Sequence, residues 1–358
     1  MNRILQFALF FLVFFGVYLG MHAYIFFRMS TLLAIKRSIW FYAVLIFMAL
    51  GFPLISIIER TIDGKIANFF YTLSATWLGA AFYFVCVLAL YEIARLVFKI
   101  KPMVAGIAIL AIVTLIVVYG IINAFFINVK EITVPIPNLD KELTVVQLSD
   151  IHIGTIHNSE YVTRIAEKVN ALKPDMVLIT GDLVDGSGKI DAHSVAPLNK
   201  IKAKTFFTTG NHEVYEGIDE MLKLLATTNV TVLRNKVVTY KGIQIIGIDY
   251  PASEFGKNNT IISDMKFDKS KPSVLMYHPP SGLEDANAAG VNLQLSGHTH
   301  RGQIIPFNLA THLVFKRTYG LYDYNGTYLY VSPGTGTWGP PMRIGSQSEI
   351  TLIRLVKE

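Results

Sequence analysis

Four long apolar runs fill the first third of the chain, at residues 4–27, 39–58, 69–91 and 103–127. Each is near or above the ~20 residues that a helix needs to cross the hydrocarbon of a bilayer. Short basic loops separate them. Aromatic residues crowd their ends, among them Tyr24, Phe26, Phe27, Trp40, Phe41, Tyr42, Phe69, Phe70 and Tyr71, as an interfacial belt requires. Buried core helices would not repeat four times between basic loops. The first run is long for a cleaved signal and three more follow it, so it reads as a retained helix. The pattern predicts four membrane spans over residues 1–127.

The pattern changes after a stretch at 128–142, "NVKEITVPIPNLDKE", where charges end the apolar tract and Pro135 and Pro137 interrupt it. It reads as a linker. Beyond it, apolar runs of strand length alternate with amphipathic helices. "LTVVQLSD" is a strand. "NSEYVTRIAEKVNAL" is a helix with Asn158 and Ser159 available as caps and Val162, Ile165, Ala166, Val169 and Leu172 on one face. "DMVLITGD" and "KTFFTTGNHE" are further strands. Such alternation predicts an α/β domain over 143–358 with a largely buried sheet. From about Val230 the strands lie closer together ("VTVLRN", "VVTYKGIQIIGIDY", "PSVLMYH", "VNLQLSGH", "TYLYVSPG", "EITLIRLV") and predict a second, mixed sheet.

Composition sharpens this division. The chain is 52% hydrophobic over 358 residues, too apolar for one soluble domain, and the excess lies in the spans. The net charge of +6 is also local: residues 1–127 hold nine Lys/Arg against three Asp/Glu, and the remainder holds 23 of each. Basic loops beside spans follow from topology and from attraction to anionic lipid. No basic stripe is left for nucleic acid. The single cysteine, Cys86, lies in the third span and excludes a disulfide framework and a cysteine zinc site.

Candidate chemistry collects where strands end. The first soluble strand ends at Asp150 with His152 beyond it. The second ends in Asp182 and Asp185, the third in Asn211 and His212. Later strands end at His278 and at His298 and His300. Ligands of open α/β sheets sit beyond the carboxyl ends of strands, and glycines at 181, 210 and 297 allow sharp turns there. A mixed nitrogen and oxygen set without cysteine suits manganese, iron or zinc better than calcium or soft metals. There are too many such groups for one tetrahedral ion. Two ions sharing a carboxylate use them well, polarising a phosphoryl group and generating hydroxide near neutral pH. Singly, each residue is as readily a cap, a turn or a solvated side chain; the ordered set is what points to a centre.

"SDIHIG", "GDLVD", "GNHE", "YHPP" and "GHTH" together resemble, in order and spacing, the calcineurin-like metallophosphoesterase family over roughly residues 143–358. The resemblance implies a four-layer α/β/β/α sandwich of two mixed sheets with a dinuclear centre between them. It implies that Asp150, His152 and His300 bind one divalent ion and that Asn211, His278 and His298 bind the other, with Asp182 bridging. Manganese is the first expectation, with iron, zinc or magnesium as alternatives. His212 would protonate the leaving oxygen and Asp185 would orient it through a carboxylate–imidazole pair. Arg301 follows "GHTH" where many soluble relatives have glycine, so it is a candidate for substrate phosphate or plain solvent-facing variation. "SPGTGTWGPPMRIGSQSEITL" resembles the closing segment of membrane-linked members, and Arg343 within it is a second substrate candidate.

The leading expectation is a multi-pass membrane enzyme that cleaves a phosphomonoester, phosphodiester or pyrophosphate. Proximity to a bilayer favours a lipid or lipid-linked substrate. The resemblance adds UDP-2,3-diacylglucosamine-type or envelope phospholipid substrates. The alternatives are a broad or cyclic-nucleotide phosphodiesterase and a non-catalytic receptor that uses the same fold. A transporter is disfavoured by the scarcity of charge within the spans. Basic residues bordering the spans number six on the side of the first and third loops (Arg28, Lys36, Arg37, Arg95, Lys99, Lys101) and four on the other (Arg3, Arg60, Lys65, Lys130). That puts the catalytic domain on the outer face of the cell membrane. The segment 304–326, rich in Phe, Leu and Tyr, reads either as a loop covering the second sheet or as an interfacial segment.

Overall fold

The computed structural model describes residues 3–62, 64–251 and 261–358. It forms two compact units, Met1–Ile121 with Gly339–Met342, and Ile122–Trp338 with Arg343–Glu358.

The first unit is built on α1 (Arg3–Leu32), α2 (Ile39–Ile58), α3 (Lys65–Ala94) and α4 (Pro102–Phe125). All four are long and apolar enough to span a membrane. Their side chains are distributed for lipid and not for water. Leu12, Trp40, Phe47 and Leu115 are among many large apolar residues on the outside, which a water-soluble unit could not expose without associating. The polar groups turn inward and find each other. His22 takes a hydrogen bond from the Trp77 indole at 3.1 Å, and its Nδ1 lies 2.9 Å from the Tyr18 carbonyl. Glu92 pairs with both Arg28 and Arg95. Pro53 sits inside α2, a break that spanning helices tolerate.

In the second unit, two six-stranded mixed sheets face each other. The first runs in the order β1 (Ile127–Ile136), β12 (Ser348–Lys357), β2 (Leu143–Leu148), β3 (Met176–Thr180), β4 (Lys204–Thr208), β5 (Thr231–Val232). The second runs β10 (Gly320–Tyr324), β11 (Thr327–Val331), β9 (Leu293–Ser296), β8 (Ser273–Met276), β7 (Ile243–Gly247), β6 (Lys236–Tyr240). Between them lies one core that draws Val145, Leu178 and Phe206 from the first sheet and Ile245, Met276 and Leu295 from the second. The outer face of the first sheet packs Val146 and Ile179 on Val162, Ile165 and Val169 of α5 (Ser159–Leu172) and on Met221 and Leu225 further along. The outer face of the second packs Ile246 and Leu275 on Ala286 and Ala289. These three clusters make the four layers that the motif resemblance implies. The remaining helices are short: α6 (Ala192–Val195), α7 (Asn211–Glu216), α8 (Ile218–Leu225), α9 (Ile261–Asp264), α10 (Leu283–Ala289) and α11 (Phe307–Val314).

Strand assignment differs from the sequence reading in three places. Most of the expected linker is β1, which pairs in parallel with β12 from Ile127↔Ser348 to Ile136↔Lys357. β1 lies at the sheet edge, so Pro135 gives up an N–H that no neighbour needs. The final strand, expected in the second sheet, lies in the first between β1 and β2. "VTVLRN" also joins the first sheet, as β5 beside β4. In each case a partner distant in sequence decides the sheet, and local pattern carries no record of it.

Candidate metal centre

The candidate residues leave the carboxyl ends of β2, β3, β4, β8 and β9. β2 runs parallel to β3 and β3 to β4, and β8 runs parallel to β9, so within each sheet these ends open together. The turns that follow are unusual. Asp150, His152, Asp182, His298 and His300 all have left-handed backbone, with φ of 51°, 54°, 50°, 71° and 47°. Non-glycine residues avoid this region, and where they hold it the surroundings must over-determine it. The glycines serve two needs. Gly181 has φ 83°, whereas Gly297 is needed for close approach: a Cβ there would lie 2.2 Å from Asp150 Oδ2.

Two buried groups of donor atoms result. In one, His300 Nε2 lies 3.3 Å from Asp150 Oδ1 and 3.0 Å from His152 Nε2. In the other, His278 Nε2 lies 3.1 Å from Asp182 Oδ2 and 3.2 Å from His298 Nδ1. Asp182 Oδ2 is also 4.0 Å from His152 Nε2, which places this carboxylate oxygen between the groups. Asn211, buried at the start of α7, has a side-chain carbonyl with no hydrogen-bond partner among the described residues.

The electrostatics are those of groups pressed together. Burial, then the two carboxylates, act on His278 in opposite senses; Asp182 wins and raises it to about 9. Burial would raise Asp182, but His278, His212 and His152 hold it far below the carboxylate range. Burial, then His278, lowers His298 to about 3, and burial with His152 and Arg343 lowers His300 well below the usual imidazole value. Neutral imidazoles and ionised carboxylates are the forms that ligate divalent cations. His298, His300 and Asp182 are shifted toward them, whereas His278, His152 and Asp150 are shifted the other way and would release protons on binding a cation. Paired ring nitrogens at 3.0–3.2 Å and the orphan Asn211 oxygen suit two such ions.

His212 stands beside these groups, its ring centroid 4.6 Å from that of His152. The expected pairing with the Asp185 carboxylate is replaced. His212 Nδ1 lies 3.0 Å from the Asp185 backbone carbonyl. The carboxylate turns instead to Ser187 and to His152 Nδ1, at 3.5 Å. The reason is the turn after β3, which points the carbonyl toward α7. Arg301 is exposed, with its guanidinium 4.4 Å above the Tyr319 ring. Arg343 is not at the surface as a substrate contact requires. It is wholly buried, with Nη2 donating to the carbonyls of Pro333 at 2.7 Å, Gly334 at 3.2 Å and Gly336 at 2.6 Å, and Nη1 donating to Ser346 Oγ.

Sequence reading passed over Glu213, the last letter of "GNHE". Its buried carboxylate accepts N–H groups from Gly210 at 2.6 Å, Asp182 at 3.1 Å, Leu183 at 2.8 Å and Val184 at 3.3 Å. It ties the turn after β3 to the turn after β4. Burial and the charge of Asp182 raise it to about 7. Its only sequence signal was its place in the motif.

Comparison with known proteins adds the lineage. The profile of the calcineurin-like phosphoesterase family matches residues 143–302. An uncharacterised metallophosphoesterase of Campylobacter jejuni is 37% identical over 272 residues, 74% of this chain and 71% of that one. One from Helicobacter pylori strain J99 is 40% identical over 239 residues, 64% of each chain, so this chain spans less than two thirds of that relative's length. A bovine transmembrane protein with metallophosphoesterase domain is 34% identical over 273 residues, 68% of this chain and 61% of that one. Among solved structures, the 5'-nucleotidase precursor of Thermus thermophilus aligns at a TM-score of 0.36 and 14% identity over 61% of this chain and 55% of that one. By family profile, relatives and spanning helices alike, the chain belongs to the calcineurin-like metallophosphoesterases, as a multi-pass membrane member.

Proposed function

We propose that the chain is a metal-dependent phosphoester hydrolase acting on a lipid or lipid-linked phosphate. The observation that carries the chemistry is the convergence of two buried nitrogen and oxygen ligand sets on Asp182. In this reading Asp150, His152 and His300 hold one divalent ion and Asn211, His278 and His298 the other, with Asp182 shared. By ligand type manganese, iron or zinc suits the set, and manganese is the first to be tried. When bound, such a pair polarises the phosphoryl group and makes water nucleophilic near neutral pH. The protein's own groups supply the rest. The Asp185 carbonyl fixes the Nδ1 proton of His212, leaving Nε2 to carry the proton for the leaving oxygen. Burial and then His152 make that proton easier to release. Arg301, held on Tyr319 at the rim, offers charge to a substrate phosphate.

The lipid part of the reading is supported by α11, which follows two residues of the candidate centre in sequence. It buries none of its side chains, and Leu309 and Leu313 are 65% and 90% exposed. Phe315, just beyond it, lies against the His298 ring at 5.3 Å.

The test is a hydrolysis panel with the full chain in detergent, stripped and reloaded with each divalent metal, using lipid and soluble phosphoesters. Activity is expected to return with metal. Asp182→Asn is expected to lose activity together with one or both ions. His212→Ala is expected to keep its metal and lose turnover by about 10²–10⁴. A His212 variant stripped of metal, or one of full activity, overturns the role of His212 as proton donor.

A further inference from the structure

The first unit holds a feature that hydrolysis does not use. An apolar groove of about 710 Å³ runs between its helices, lined by Met29 of α1, Phe41 of α2, Trp77 and Phe84 of α3, and Val113 and Val117 of α4 among others. The volume lies within the roughly 300–1,000 Å³ of pockets that hold small molecules. The groove has a packing cause. At Gly106 a Cβ would meet Leu33 at 2.6 Å, so α4 closes tightly on the end of α1 there. Further along, Leu110, Val113, Thr114, Val117 and Val118 of α4 face the open groove.

Its depth and its charge both identify an occupant. From Leu110 to Val118 the α4 wall is roughly 12 Å long at 1.5 Å per residue. That is close to one leaflet of a hydrocarbon core of about 30 Å. The mouth lies at the turn between α1 and α2, where Lys36 and Ser38 line it, and among the described residues the lining includes no acidic side chain. Lys36 is exposed and its ammonium has no ion pair or hydrogen bond among the described residues. Arg37 is occupied: it donates to Ser30 Oγ at 3.0 Å, to Thr31 Oγ1 at 2.8 Å and to the Phe27 carbonyl at 3.1 Å. These bonds tie the turn to α1 and leave Lys36 as the available cation. Inside, the Trp77 indole N–H is already satisfied by His22, so the ring can present its face to hydrocarbon at no polar cost.

We propose that this groove is a binding site for one anionic phospholipid, with an acyl chain along α4 between α1 and α3 and the headgroup phosphate on Lys36. A neutral void of this kind would take any hydrocarbon; the free ammonium at its mouth is what selects the headgroup.

Two tryptophans, Trp40 and Trp77, line the groove, and the only other is Trp338. A Trp40→Phe/Trp338→Phe chain therefore reports from Trp77 alone. It would be reconstituted in vesicles of phosphatidylcholine carrying a minor fraction of either phosphatidylglycerol or phosphatidylcholine with brominated acyl chains, which quench indole on contact. Quenching of Trp77 is expected to favour the phosphatidylglycerol probe by about fivefold in apparent affinity, the effect of one lysine beside an anionic phosphate. Lys36→Gln is expected to abolish that preference without altering the fold, because Lys36 lies on the surface. Val117→Phe, which fills the groove, is expected to lower quenching by both probes. Equal quenching by the two headgroups in the parent chain overturns the headgroup assignment, and absence of quenching overturns the site. Persistence of the preference in Lys36→Gln overturns the role of that residue.

Discussion

Five of the seven candidate ligands hold a backbone conformation that costs about 1–3 kcal/mol each for side chains other than glycine. Together that approaches the whole stability of an ordinary domain, about 5–15 kcal/mol. Such turns persist only because other groups fix them. Asp150 does so for the "GHTH" turn, accepting the His298 N–H at 3.1 Å. Glu213 does so for the turn after β3. Arg343 does so for the segment at 333–336, and it differs from the others in being a buried cation that answers carbonyls and not a carboxylate. Removing it strips the carbonyls of Pro333 and Gly336 of that donor at roughly 1–3 kcal/mol each, while the Gly334 carbonyl keeps the Glu349 N–H at 3.0 Å. Arg343→Met is therefore expected to lose on the order of 3 kcal/mol of stability, read as a lowered Tm of the purified chain. Arg343→Lys is expected to fall short as well, since a single shorter ammonium cannot take the place of both Nη2 on the carbonyls and Nη1 on Ser346 Oγ. A substrate contact would behave oppositely, raising KM at an unchanged Tm, and that outcome would restore the role first expected for this residue.

At the scale of elements, α11 separates packing from interface. Its stretch of sequence fits either a covering loop or an interfacial segment, because both are apolar. The structure forms a helix whose Phe307, Leu309, Leu313 and Val314 all face outward. A helix that gains no core contact needs another reason to be apolar, and a lipid surface provides one. Leu309→Ser with Leu313→Ser is expected to depress hydrolysis of a lipid phosphoester by about tenfold, the equivalent of one buried leucine at roughly 1.5 kcal/mol. A soluble chromogenic ester should be cleaved at nearly the parental rate. Phe315 is left intact because its ring covers His298. Equal losses on both substrates would reduce α11 to a stabilising element, and no loss on either would remove it from substrate handling.

For the whole molecule the question is topology. An even number of spans returns the chain to the side on which it began, so α1 and β1 start from one side of the membrane. The excess of basic residues on the other side, around the turns after α1 and α3, predicts that those turns face the cytoplasm and the α/β domain faces out. The margin is six residues against four. Protease added to intact cells is expected to degrade the domain after residue 127 without permeabilisation. Full protection there would reverse the orientation.

Much of this protein was legible in the chain because the relevant physics is local. A run of apolar residues long enough to cross a bilayer needs no partner to be recognised, and the helices of the first unit follow those runs. The candidate ligands were legible because each lies at the end of a strand, next to a turn, in a short motif whose spacing survives in one dimension. Tertiary structure decided what depends on approach between distant segments. β12 inserts between β1 and β2 because inter-strand hydrogen bonds join residues 127–136 to 348–357, which no periodicity encodes. Arg343 is a clamp and not a substrate contact because three carbonyls from 333–336 converge on it. Asp185 holds His212 by its carbonyl because a turn, and not a residue type, sets which oxygen points inward. Residue identity states which chemistry is available; the path of the backbone selects the atom that performs it.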